Sequence, residues 1–207
     1  PYTINIVYDK HAQSVKIVDD YLNHLTQNDE NYKRVVLEMI GHCLITNPEK
    51  KKALGKFFFL HGGGGNGKGT LLEIITAILG RSNVSNVSPK QLKDERYSNA
   101  LIGKLANLAD DVEDVSLDND IMKIMKNIST CDNIQLRKLN HNAIETRVTA
   151  TLINTTNHLL KSFEKGDSFR RRMLWLPMFT KVEKFDGTFI TRITAPQALS
   201  YWVRLII

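Results

Sequence analysis

The stretch Lys56–Thr70, KFFFLHGGGGNGKGT, constrains this chain more than any other. Phe57, Phe58, Phe59 and Leu60 form an apolar run whose length suits a buried strand rather than a helix. A glycine-rich turn follows, and a helical pattern, LLEIITAIL, opens at Leu71. Within the turn, Gly62, Gly67 and Lys68 satisfy G-x-x-x-x-G-K, the phosphate-binding loop. Such a loop turns successive backbone N–H groups toward phosphate oxygens, in conformations that glycine adopts cheaply. The helix behind it aims its N-terminal dipole and free N–H groups at the same anion. The run Gly62, Gly63, Gly64, Gly65, Asn66, Gly67, Lys68, Gly69 and Thr70 is therefore expected to cradle the phosphates of ATP, with Lys68 on the β and γ groups. The hydroxyl that usually follows the lysine is replaced by Gly69, so Thr70 becomes the expected Mg²⁺ ligand. A flexible glycine linker is the plain alternative, but a linker needs neither the strand nor the helix.

Around this loop the pattern is α/β. Val18, Tyr21, Leu22 and Leu25 recur at helical spacing, as do Tyr32, Val35, Val36, Met39, Ile40, Cys43 and Leu44. Pro48 and the EKKK that follows read as the end of the second helix, with Glu49–Gly55 a solvated connection. Residues 1–52 are thus a small helical module and 53–207 a nucleotide-binding core. Tyr2–Val7 alternates and reads as a short strand, and Ser82–Val87 and Leu105–Asp111 read as strands of the core. Asn119–Ser129 carries Ile121, Ile124, Met125 and Ile128 on one helical face. Asn133–Lys138 and Ile144–Arg147 flank a polar turn as a hairpin. Thr149–Thr155 and Met173–Leu176 read as core strands. Strands alternating with helices imply a mostly parallel sheet.

Four further features narrow the chemistry. Asp110 and Asp111 close an apolar strand, where one carboxylate holds Mg²⁺ and the other positions the attacking water. The neighbouring acids Glu113, Asp114, Asp118 and Asp120 read instead as a solvated loop. Asn157 follows the strand TLINTT, where an amide can hydrogen-bond the water or the γ-phosphate; Asn154 is the competitor within the strand. Arg170, Arg171 and Arg172 precede the last strand, and Arg171 or Arg172 is expected to reach a neighbouring subunit's ATP. Arg137, Lys138 and His141 lie near the hairpin tip and suit the backbone of single-stranded DNA. The net charge of +6 fits a polyanion partner, because six acids and no base fall within 110–120 and leave the remainder distinctly basic.

With those residues in hand, the chain resembles a superfamily 3 helicase domain of the AAA+ class. The resemblance is closest to the C-terminal part of phage and plasmid primase-helicases, which are related to the poxvirus primase-helicase. It rests on GGGGNGKGTLL (62–72), GKLANLADDVED (103–114), TLINTTN (151–157) and FRRRMLWLP (169–177), with weaker likeness at 36–45 and 198–206. It implies an AAA+ P-loop ATPase sheet of order 5-1-4-3-2 preceded by a helical collar. It further implies a ring of identical subunits, often a hexamer, with ATP between them and the hairpin pointing into the central channel. By that resemblance Lys68 and Thr70 match the first motif, Asp110–Asp111 the second, Asn157 the sensor and Arg171 or Arg172 the finger. Asp111 stands where many such ATPases use Glu.

The expected activity is ATP-dependent helicase or translocase action on single-stranded or forked DNA in phage or mobile-element replication. An ATP-switched origin-binding or loading factor, or a P-loop nucleotide kinase, are the competing classes. The expected setting is a bacterial host cytoplasm, without a membrane partner, because the longest apolar runs are four or five residues. Cys43 and Cys131 are expected as reduced, buried thiols. Pro1 at the start and YWVRLII at the end suggest a domain cut from a larger protein, with a primase or polymerase domain among its expected partners.

Overall fold

In the computed structural model, which describes residues 2–110, 112, 118–137, 143–158, 167–182 and 186–207, the apolar run becomes strand β1 (Phe57–His61), its first four side chains buried. Phe57 and Phe59 enter one core with Ile121, Met122, Met125 and Ile128; Phe58 and Leu60 enter another with Leu71, Ile74, Ile75 and Ile78. A strand covered on both faces reads as an unbroken apolar run, which is why no alternation marks it in the sequence. Each of these side chains contributes about 2 kcal/mol by leaving water.

The strand lies between β6 (Thr151–Thr156) and β7 (Met173–Pro177). Beyond β6 come β3 (Ala106–Ala109) and the two-residue β2 (Val84–Ser85), all parallel. Counting only these five strands, the order is 5-1-4-3-2. Counting every strand it is β7-β1-β6-β3-β2, because the antiparallel hairpin β4 (Asn133–Arg137) and β5 (Ala143–Arg147) intervenes and forms its own sheet.

Helix α4 (Lys68–Leu79) covers one face together with α1 (Lys16–Thr26), α2 (Glu30–His42), α8 (Phe189–Ile193) and α9 (Pro196–Ile206). Helix α6 (Asn119–Ser129) covers the other. Short helices α5 (Glu95–Ser98) and α7 (Asp167–Arg170) lie among the connections.

Three expectations change. Tyr2–Val7 is not a strand; its alternation has no paired neighbour, and Ile4 and Ile6 simply pack on the core. The expected strand 82–87 shortens to Val84–Ser85. The expected connection 49–55 is a third helix, α3 (Pro48–Leu54). Pro48 takes its first position, Asn47 caps it by accepting the Lys50 N–H (3.0 Å), and Gly55 ends it with φ 54°. Of its three lysines, Lys51 turns inward and is 2% exposed.

Candidate active site

Parallel strands deliver their C-terminal ends to one edge of the sheet, and three of them carry expected residues there. β1 runs into the glycine loop, β3 stops just before Asp110, and β6 stops just before Asn157. Register sets His61 level with Thr156 and Ala109 level with Asn154. The Gly62 N–H donates to the Thr156 carbonyl (3.2 Å), so Asn157 lies one residue from the root of the loop.

Gly64, Gly65 and Gly67 hold φ of 88°, 66° and 80°, the left-handed region that side chains resist. A Cβ at Gly63, Gly64 or Gly65 would meet nothing within 4 Å, so this part of the loop is open. Gly62 differs: its Cβ would fall 2.4 Å from the Met178 carbonyl oxygen, and packing alone demands glycine there. Gly67 precedes α4 without a side-chain cap, leaving first-turn N–H groups for an anion. The Lys68 side chain is buried and its Nζ donates to Gly62 O (2.5 Å) and Asn66 Oδ1 (3.4 Å). On the far side, Tyr21 of α1 donates to Gly67 O (3.4 Å), and burial holds its phenol well above the usual pKa, so it stays a donor.

Asp110 is exposed, and its Oδ1 accepts from the Thr155 hydroxyl at 2.6 Å. Its Oδ2 lies 4.0 Å from where a Gly69 Cβ would stand. The helix position turned toward this carboxylate is therefore 69; Thr70 follows about 100° further round. Asp111, Glu113 and Asp114 lie outside the described residues. Asp118 caps α6 by accepting the Ile121 N–H (3.0 Å), a local role the acidic run concealed. Asn154 is buried and donates to Phe58 O (3.2 Å), while Asn157 is exposed.

Arg171 and Arg172 lie at the opposite edge, before β7, about 16 Å of strand from the loop of their own chain. Phe57 N–H donates to Arg172 O (3.0 Å), the Arg172 guanidinium donates to Ser168 O (2.5 Å), and Lys56 Nζ donates to Arg171 O (2.5 Å). Arg137 ends β4; its side chain, Lys138 and His141 lie outside the described residues.

Sequence reasoning missed Tyr21, Thr155 and a buried polar knot beneath the sheet. Nothing local marks Thr155 within a β-branched core strand. In the knot, Lys51 Nζ donates to His42 O (3.0 Å) and to the Thr151 hydroxyl (2.7 Å), which lies 2.9 Å from His42 Nδ1. Burial lowers the Lys51 pKa to about 8. Burial first, and the Lys51 charge second, lower His42 to about 3. Both cysteines are free and buried. Among the described residues no helix is long and apolar enough to cross a membrane.

The family described as "Family of unknown function (DUF5906)" matches residues 60–172, more than half of the chain. No curated protein matches it. Among solved structures, the apo NrS-1 C-terminal region (305–718) superposes with a TM-score of 0.74 at 18% identity, covering 99% of this chain and 47% of that one. The A form of the same region gives 0.72 at 17% identity, covering 97% and 47%. This chain thus spans about half the length of those structures, and the likeness is one of fold. A JCV helicase is more distant, at TM-score 0.49 and 10% identity over 92% of this chain and 60% of that one, too remote to bear on function.

Proposed function

The chain belongs to the DUF5906 family, and we propose that it is an ATP-hydrolysing helicase or translocase domain that works on single-stranded DNA within a ring of identical subunits. The observation that carries this reading is the convergence at one sheet edge of the open glycine loop, the Lys68 ammonium, the Asp110 carboxylate and the exposed Asn157. The loop fits a triphosphate: its open side offers backbone N–H groups, and Lys68 already lies against two loop oxygens that phosphate oxygens can replace. Asp110 supplies a hard oxygen donor that suits Mg²⁺, and Thr70, one position past the residue turned toward that carboxylate, is the hydroxyl assigned to join it; the cation keeps several waters and needs only one or two carboxylates. When bound, Mg²⁺ would neutralise charge on the β- and γ-phosphates.

In this reading Lys68 binds the β- and γ-phosphates, and Asp110, oriented by Thr155, holds the metal's water shell. Asp111 or Asp110 positions the attacking water, and Asn157 hydrogen-bonds the γ-phosphate or that water. Arg171 or Arg172, remote from its own loop, serves the neighbouring subunit's nucleotide. Arg137, Lys138 and His141 hold the DNA backbone electrostatically. The resemblance to phage and plasmid primase-helicases supports the replicative setting and a primase or polymerase domain in the full-length protein.

The test is complementation. Lys68→Ala is expected to abolish DNA-stimulated ATP hydrolysis, and Arg171→Ala with Arg172→Ala to do the same alone. Mixing the two inactive proteins restores part of the activity, because one subunit type supplies a sound loop and the other sound arginines. Wild-type turnover by Lys68→Ala refutes the site. Failure of the mixture to recover under conditions where rings form refutes action in trans. Strand displacement on a forked duplex separates a motor from a factor that only grips DNA.

A further inference from the structure

A triphosphate anchored on the glycine loop must lead its sugar and base away over one rim. Tyr21 closes the rim at Gly67, where it is 8% exposed and a Cβ on that glycine would stand 3.8 Å from its ring. The other rim is the segment following β7. It is tied to the loop at two points, since Met178 N–H donates to His61 O (2.6 Å) and Val182 N–H donates to Gly65 O (3.0 Å). Met178 points inward and is buried, whereas Phe179 is 68% exposed and Val182 56%. A single exposed apolar residue needs no explanation. Two of them, on the stretch hydrogen-bonded to a phosphate cradle and beside its open glycines, do.

We propose that Phe179 and Val182 are the nucleobase platform of this site. The purine ring stacks on the exposed Phe179 face, and Val182 covers its edge. Stacking is the contact a base with two aromatic faces offers to an apolar rim, and it recovers surface that the protein otherwise leaves in water. The proposal rests on the phosphate-loop reading above and adds the half of the nucleotide that the loop does not touch.

Calorimetric titration of the full chain with ATP and with inorganic tripolyphosphate tests it. Phe179→Ala is expected to weaken ATP binding about tenfold and to leave tripolyphosphate binding unchanged. Phe179→Trp is expected to retain ATP affinity and to add a fluorescence signal quenched by ATP but not by tripolyphosphate. If Phe179→Ala binds ATP as wild type does, or loses both ligands equally, the platform is overturned while the phosphate site stands. A change in subunit assembly without a change in ATP affinity also overturns it. Wild-type protein that binds neither ligand overturns the phosphate site itself, and the platform with it.

Discussion

Acid should loosen this protein through His42, and the size of the effect follows from the buried knot. Lys51 can only donate, so the Thr151 hydroxyl accepts from it, 2.9 Å from His42 Nδ1. On the other side of the ring, His42 Nε2 is buried and has no hydrogen-bond partner among the described residues. A second proton would put a charge on a buried ring whose Nε2–H has no acceptor among the described residues, beside the buried Lys51 ammonium. The folded pKa of about 3 against 6.5 in the unfolded chain expresses this. Below 6.5 the unfolded state binds the proton and the folded state does not, so stability falls as pH falls, from about 6.5 down to about 3. At pH 5 the unfolded state has gained about 1.5 units' worth of protonation, or about 2 kcal/mol. Lys51, at about 8, stays charged below about pH 6.5, where the His42 effect develops, and adds nothing to the slope there. Urea unfolding of wild type and His42→Asn between about pH 7.5 and 5 measures it. The amide keeps an acceptor for Thr151 without titrating, and ordinary surface carboxylates cancel in the comparison. Wild type should lose about 2 kcal/mol more than the variant. Parallel pH profiles would refute the account of the knot.

Two glycines should respond in opposite ways. Gly62→Ala drives a methyl group against the Met178 backbone carbonyl, so we expect a loss of about 1–3 kcal/mol in thermal unfolding and weakened ATP binding. Gly63→Ala, with open space around it and no positive φ, is the neutral control for thermal unfolding alone. Gly69→Ser places a hydroxyl next to Asp110 without a clash, and is expected to lower the Mg²⁺ concentration that supports half-maximal ATP hydrolysis roughly fivefold, about 1 kcal/mol. An unchanged Mg²⁺ requirement would mean that position 69 does not face the metal.

What could be read from the sequence was whatever is encoded by neighbours along the chain. The strand–loop–helix at 57–79 was legible because four apolar residues, a glycine turn and a helical pattern are contiguous. The hairpin emerged within a residue of its expected bounds for the same reason. Lys51 was not legible. In EKKK it looks like its solvated neighbours, and its partner Thr151 is 100 residues away, on the first residue of a strand whose place beside β1 no local pattern reveals. The N–P start and the glycine at 55 were the signals for α3, outweighed by its charge run. Thr155 is a similar case: β-branched residues announce a strand, but not that one hydroxyl of the strand reaches Asp110.

That hydrogen bond carries a mechanical consequence. The chain leaves the sheet at Asp110, builds α6 and the β4–β5 hairpin, and re-enters it at Thr151; at Thr155, 45 residues after Asp110, it is clasped to that carboxylate at 2.6 Å. The excursion is thus a loop closed by a side-chain hydrogen bond. It begins beside the glycine loop at Asp110, and the strand that closes it ends beside the loop at Asn157. One hydroxyl therefore fixes the spacing between the two strand ends that carry Asp110 and Asn157.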